Sequence, residues 1–480
     1  MTRSSWCLLL GGLMAASSLL AAGDAKACGG CFAPAEPPTV VSGHRMVMSV
    51  SPTQSVLWDQ IQYAGNPAEF AWVLPVKPGA RVEASNAAFF EILEAETATR
   101  IIPPPLNCGN SGSGSGCAAS LQSAGEDSAG NGYEEDNPLV DVVHQGTVGP
   151  YETVTLSTEV PGALNAWLED HGYNVDDAAQ PIIDQYVADG FDFIALRLQP
   201  GKGVSQMTPV RVVMEGGSMT LPLRMVGIGT GETTPIVLYV IGEGRYTSQN
   251  FDEAKIATGL LSWNFRTQES NYTLVRAKAL AEHDGRAFLT TFAQSGMFGN
   301  SYYDQNTGES VSLPQLYADQ ALKNGELDSA CTIGALGASG RVKNPCPPGE
   351  PWDSAACGSV ESGEVDARTL GCEGASDIAV ALEGLFVNNV WVTRLEAELP
   401  RAALVDDLTL QANSAQEPFA RDVQAAIALE ADGACPSGVI PTVIDLKAPP
   451  QNPFALFAGA SLATLLAAFA ARRVKLRRGA

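Results

Sequence analysis

From Phe191 to Gly242 the chain reads FDFIALRLQPGKGVSQMTPVRVVMEGGSMTLPLRMVGIGTGETTPIVLYVIG. Short apolar blocks rich in Val, Ile and Leu are punctuated there by Gly, Pro and Ser, the pattern of consecutive β-strands with turns between them. Strands are predicted at Phe191–Gln199, Pro209–Glu215, Met219–Gly227 and Pro235–Gly242. Four strands in succession, with helices clustered elsewhere, argue an α+β domain, mostly antiparallel and sandwich-like with inserted short helices, over a parallel α/β sheet. Upstream, Pro38–Ser51 (PTVVSGHRMVMSVS), Gln54–Ala64 and Glu69–Lys77 (EFAWVLPVK) read as further strands. Asn86–Ala98 reads as a helix, with Phe89, Phe90 and Leu93 on one face and Ser85 placed to cap it. Residues 107–137 are a low-complexity loop rich in Gly and Ser. Strands resume at Leu139–Val143 and Tyr151–Ser157. Two short helices follow at Pro161–His171 and Asp176–Ala188, closed by Gly172 and Gly190. Downstream, the cysteine-rich insert 328–375 reads as an irregular excursion. Asp377–Glu398 returns to strand-like sequence, and the weakly patterned segment 411–450 holds a short helix near Asp422–Glu430.

The two ends set the expected location. Residues 1–27 have a charged start, an apolar run from Cys7 to Ala22 and a small-residue site at Ala25-Lys26-Ala27, the layout of a secretory signal peptide. An uncleaved anchor and a lipid on Cys28 are the weaker alternatives, the second because Lys26 fits a lipoprotein site poorly. Residues 453–471 (PFALFAGASLATLLAAFAA) carry no charge, and as a helix they reach about 28 Å, close to the thickness of a hydrocarbon core. Arg472, Arg473, Lys475, Arg477 and Arg478 follow in the tail 472–480, and such a cluster stays on the cytoplasmic side. The expectation is a single-pass membrane protein with its body, residues 28–410, outside the cytoplasm and its C-terminus inside. A cleaved sorting tail is the alternative reading of the same segment.

The formal net charge is −24. With Arg3, Lys26, the five basic tail residues and Asp24 set aside, residues 28–450 carry 22 basic and 52 acidic groups, a net of −30. Such a surface repels phosphate backbones, so nucleic acid is excluded as the expected partner, and the membrane is the one partner expected. Apolar content of 45% excludes a globally disordered chain.

Nine cysteines remain beyond Cys7, and outside the cytoplasm their default state is bonded. Cys108 and Cys117 bracket a short glycine-serine loop. Cys331/Cys346 and Cys357/Cys372 share a spacing of fifteen, so local pairing within each couple is expected, at about 3 kcal/mol per closed loop. Cys28, Cys31 and Cys435 are left over, with one thiol odd. The CGGC at Cys28–Cys31 is a possible redox pair, but Pro34, Pro37 and Pro38 oppose the helix whose N-terminus activates such a thiol. The four histidines, 44, 144, 171 and 283, show no zinc spacing, and no metal or cofactor is expected. No G-x-S-x-G or H-E-x-x-H occurs, and His171 beside Asp170 reads as capping or packing. Gly227–Gly231 (GIGTG) reads as a hairpin turn, Asp304-Gln-Asn306-Thr-Gly308 as a turn rather than a calcium loop, and Glu134–Asp136 as a solvated charge run.

Several stretches together resemble one family of exported or membrane-tethered bacterial proteins, the domain of unknown function 2330. They are ACGGCFAP, IQYAGNPAEFAWVLPVKPG, VGPYETVTL, ALNAWLEDHGYNVDDAAQPIIDQYVADGFDFIALRL, VWVTRLEAELP and DDLTL. The resemblance covers most of residues 28–410, and the block from WLEDHGY to DFIAL is its most specific part. It implies an extracytoplasmic place and carries over no catalytic, ligand or cofactor residue. No catalytic set converges in the sequence. The expected function is a non-catalytic binding or structural module of the cell envelope. The alternative is a thiol-disulfide oxidoreductase using Cys28 and Cys31.

Overall fold

Strands covered on both faces carry apolar residues at consecutive positions, as Val56-Leu57-Trp58 and Leu238-Tyr239-Val240-Ile241 do here. In a computed structural model the described residues are 31–32, 40–64, 71–107, 140–170, 179–202, 206–228, 232–304, 309–333, 337–431 and 442–443. Its main strands are β1 (Cys31–Phe32), β2 (Val40–Val50), β3 (Gln54–Ala64), β4 (Ala71–Val76), β5 (Arg81–Ala84), β6 (Asp141–Val148) and β7 (Tyr151–Ser157). They continue with β8 (Asp192–Leu198), β9 (Val210–Glu215), β10 (Thr233–Glu243), β11 (Asp252–Ala254), β12 (Ala287–Ser295) and β13 (Val390–Pro400). The helices are α1 (Ala87–Thr97), α2 (Ala163–Asp170), α3 (Gln180–Ala188), α4 (Leu223–Val226), α5 (Tyr272–Ala281), α6 (Leu313–Lys323) and α7 (Asp377–Leu382). The chain is mixed α+β, strand-rich with a few short helices.

The described residues form two compact units. The larger takes those of 1–100, 118–256 and 274–423, and the smaller those of 101–117, 257–273 and 424–480. The smaller unit centres on Ser262–Asn264, which pairs antiparallel with Glu269–Ser270 and parallel with Ile427–Leu429.

Two sheets build the larger unit. One has five strands in the order β1-β4-β8-β7-β6, and the other eight in the order β11-β12-β13-β10-β2-β3-β9-β5. Within the larger sheet β10 pairs parallel with β2, and β11 with β12; the other pairs are antiparallel. Alternation along each strand sorts side chains into layers. Met46, Met48, Leu57, Val212, Leu238 and Leu395 of the large sheet face Trp72, Leu74, Ile194 and Leu196 of the small one in a common core. The intervening residues face outward. Val73, Phe193 and Ala195 meet α2 and α3 through Leu164, Trp167, Ile183 and Tyr186. On the far side of the large sheet, Val47, Trp58, Val213 and Tyr239 meet α1, α6 and α7 through Phe89, Phe90, Tyr317 and Ile378. The order of layers is helices, small sheet, large sheet, helices.

Several expectations are corrected. Met219–Gly227 is a strand only at Thr220–Leu221 and then turns into α4, because Asp407 binds the Arg224 backbone N–H and its guanidinium at once. The stretch IAVALEG is helix α7 and not strand. Its apolar residues are too few for periodicity to decide, and Ile378, Ala379, Ala381 and Leu382 all bury at helical spacing before Gly384 turns the chain at φ +79°. The helix expected near Asp422–Glu430 is two short strands, Asp422–Gln424 and Ile427–Leu429, drawn out by pairing partners remote in sequence. Ser85 does not cap α1. Its hydroxyl is buried without a partner, and Asn86 holds the N-cap position. No element was expected between Gly242 and the insert, where α5, β12 and α6 stand.

The cysteine pairing is also corrected. The bonds are Cys331–Cys372 and Cys346–Cys357, nested where sequential pairs were expected. Arg341–Lys343 and Glu364–Asp366 lie side by side in parallel, so the insert goes out and comes back. Its outer limits meet at a Cα–Cα distance of 6.5 Å and the loop between its strands is closed at 4.0 Å. The insert is short on regular structure, yet Val342, Val365, Leu370 and Ala375 bury in the same core as α1 and α6. Among the described residues no helix is long and apolar enough to cross a membrane. The expected signal peptide, the loop residues 108–137 with Cys108 and Cys117, Cys435 and the expected span 453–471 lie outside the described residues.

Candidate functional site

A carboxylate at the heart of an apolar layer is costly unless every oxygen is bonded. Asp377, the first residue of α7, is 1% exposed and meets that demand. It accepts hydrogen bonds from Trp58 Nε1 at 2.8 Å, Arg211 Nη1 at 2.9 Å, the Tyr317 hydroxyl at 2.6 Å and the Asn86 backbone N–H at 3.2 Å. Arg211 in turn donates from Nε to Glu83 at 2.8 Å. Burial and the neighbouring Asp377 push the Tyr317 phenol well above its ordinary range. Burial acts to lower Arg211, but Asp377 and Glu83 outweigh it and leave the guanidinium firmly charged. Asn86 completes the knot by donating from its amide to Gly374 of the insert at 2.6 Å. At the next turn, the Glu326 carboxylate takes the first free N–H groups of α1, Ala87 at 2.7 Å and Ala88 at 3.2 Å. One network therefore joins β3, β5, β9, α1, α6, α7 and the insert.

Beside this knot opens a cleft of about 300 Å³. Arg81, Glu83, Arg211 and Val213 of β5 and β9 form one side. The insert segment Pro347–Trp352 forms the other, and Glu373, Val380 and Glu383 close it. The Cys346–Cys357 bond brackets that segment. Trp352 lies against Gly371, where a Cβ would come within 3.3 Å of its ring. Four carboxylates, Glu83, Glu350, Glu373 and Glu383, line the cleft against two guanidiniums, Arg81 and Arg211. Arg211 is held by Glu83 and Asp377, and Arg81 lies 3.8 Å from Glu83. Among the described residues no Lys or Arg comes within ion-pair distance of Glu350, Glu373 or Glu383. Burial pushes the Glu383 carboxyl up, Arg81 opposes this, and Glu83 adds to it. Among the described residues no three His, Cys, Asp or Glu side chains are placed to hold a metal ion. The lining offers fixed charge and an aromatic wall, with no cysteine and no histidine.

Two other places hold polar groups between the sheets. His44 Nδ1 lies 3.3 Å from Asp59, both buried, and His44 Nε2 has no partner. The hollow beside it holds about 10 Å³, room for one water at most and closed to a substrate. Near the end of β4 lies a second cavity of about 290 Å³ over Leu57, Val212 and Met214. Its Arg224 is already taken by Asp407 at 2.8 Å and Asp189 at 3.0 Å.

The residues singled out by motif do not converge on the cleft. Cys28 lies outside the described residues. Cys31 sits on β1, opposite Trp72 of β4. The bonds found lie in the insert, and the oxidoreductase alternative gains no support from them. His171, residues 229–231 of the glycine cluster, residues 305–308 and the run Glu134–Asp136 lie outside the described residues. Gly227 closes α4 at a point where a Cβ would come within 3.0 Å of Leu404. Asp304 faces Glu309 across an antiparallel hairpin. His144 is exposed on β6, and His283 pairs with Asp252 at 3.0 Å at the surface. Sequence reading missed Asp377, Arg211, Tyr317, Trp352 and Glu383. The one signal on offer was Ser376-Asp377 ahead of an apolar run, a helix-start pattern.

The model of a family described as uncharacterized protein conserved in bacteria (DUF2330) matches residues 22–298. That span holds β1 to β12 of the sheets and stops short of the insert and of β13. No curated protein and no solved structure matches the chain.

Proposed function

Since the chain belongs to the DUF2330 family, uncharacterized proteins conserved in bacteria, we propose that it is an exported envelope protein that binds a ligand and does not transform it. Residues 453–471 tether it to the cytoplasmic membrane, the tail 472–480 stays inside, and the folded body lies outside. The observation that carries this reading is the nested pair of disulfides, Cys331–Cys372 and Cys346–Cys357, clamped around one wall of the cleft. Bonds of that kind persist in oxidising compartments and are reduced in the cytosol. Asp377 belongs to the scaffold of the cleft, because a carboxylate with four donors has no lone pair to offer as a base.

The test is peptide mapping under non-reducing conditions, with thiols blocked as cells are broken, alongside alkaline phosphatase fused after Ile440. Both insert bonds intact and an active fusion are expected. Free thiols at all four cysteines, with an inactive fusion, would place the body in the cytosol and end this reading.

A further inference from the structure

We propose that the cleft between β5, β9 and the disulfide-closed insert takes a small organic cation, an alkylammonium or guanidinium on an apolar stem. The inference rests on reading the protein as a binding module and names what that module receives. Its basis is the imbalance of charge inside a walled cavity. Arg211 is consumed by Asp377 and Glu83. What remains is Arg81 against Glu350, Glu373 and Glu383, none of which has a Lys or Arg within ion-pair distance among the described residues. Glu383 is the sharpest of these. It is partly withdrawn from water, and among the described residues no hydrogen bond to its carboxylate offsets that. A ligand cation would supply the missing partner.

The form of the cation follows from spacing and from the wall. The carboxylates do not converge as a metal site requires, whereas an extended amine needs only one at each end. Trp352 and the flanking Pro347, Pro348 and Pro351 line this side of the cleft with an aromatic ring and apolar surface. Such a wall covers a methylene stem and attracts a cation to the ring. The Cys346–Cys357 bond keeps that wall in place before the ligand arrives, which reduces the ordering cost of binding.

The probe is cadaverine, titrated by calorimetry into the full chain purified in detergent with both insert disulfides intact. Pentanediol, glutarate and calcium are the controls for charge, sign and metal. Saturable binding of cadaverine is expected, weakening as NaCl is raised, with none of the three controls competing. Glu383→Gln keeps the side chain's shape and breaks no hydrogen bond. It should bind about tenfold more weakly. Trp352→Leu should weaken binding severalfold, and Glu232→Gln, on the exposed surface away from the cleft, should not. An absence of cadaverine binding to folded, disulfide-bonded protein overturns the proposal, as does binding indifferent to Glu383→Gln or calcium binding in its place. A finding of reduced insert cysteines in cells strikes the envelope reading alone, since the titration is done on oxidised protein.

Discussion

The two faces of the eight-stranded sheet are built on different principles. The inner face meets the smaller sheet through Met48, Leu57, Val212, Leu238 and Leu395, side chains with no polar atoms, interrupted by the His44–Asp59 pair. The outer face carries apolar residues too, but two charge networks cross it. Asp377, Arg211, Glu83, Trp58 and Tyr317 form one. In the other, Arg394 grips Glu94 at 2.9 and 3.1 Å and Glu396 at 2.9 Å, and Arg276 reaches Glu396 at 2.8 Å. Burial holds the inner face and needs only volume and shape. The outer face is held by direction as well, and its helices and insert are fixed at the positions those bonds dictate. The cleft lies on the outer side, where orientation matters.

That contrast breaks most visibly at the disulfides. Replacing Cys331 and Cys372 together by Ser opens the longer loop, with a sequence separation of 41, at about 4 kcal/mol on the chain-entropy model. Hydrogen exchange should then show protection falling in α6, α7 and the insert while β2, β3 and β10 keep theirs. Uniform loss across both faces would erase the distinction. Next in size is Asp377→Asn, which conserves volume but removes the charge Arg211 is buried against, and should cost about 3 kcal/mol in denaturant unfolding. The matched change on the inner face, Leu238→Met, should cost under about 1.5 kcal/mol. If the two cost the same, the inner face is as exacting as the outer.

Several strands of the eight-stranded sheet were legible in sequence, and the bonds across its outer face were not. The spans of β2, β3 and β9 emerge from partial alternation together with the turn residues that bound them. The four-layer order is a tertiary fact, and what pattern gave was the succession of strands. On the outer face the decisive partners stand far apart in sequence: Trp58 with Asp377, Asn86 with Gly374, Glu94 with Arg394. No local rule foretells which Asp finds which Arg across 166 residues. The same holds for cysteines. Equal spacings invited sequential pairs, while the return of the insert along itself made nested ones. IAVALEG failed for a related reason, because six residues buried on several sides carry no period to read.

The smallest effect separates two carboxyl groups on that outer side by the sign of their pH dependence. Burial acts to raise Glu94, but the bonds from Tyr239 and Arg394 win and hold it below the usual glutamate value. Its contribution is present above the unfolded pKa and is lost as pH falls through the folded one. Glu383 is raised, by burial first and by Glu83 second, against Arg81. The folded state therefore keeps its proton longer than the unfolded chain does. Its contribution is present below the unfolded pKa and is lost as pH rises through the folded one. Glu94→Gln should accordingly lower the thermal midpoint at neutral pH, with the deficit shrinking as the solution is acidified. Glu383→Gln should raise the midpoint at neutral pH, and the gain should vanish below the ordinary glutamate range. Thermal unfolding of both variants across the acid range checks this. A Glu383→Gln variant that is destabilised at neutral pH would mean the carboxylate already has a partner in the folded chain, and the cleft would have no charge left to offer.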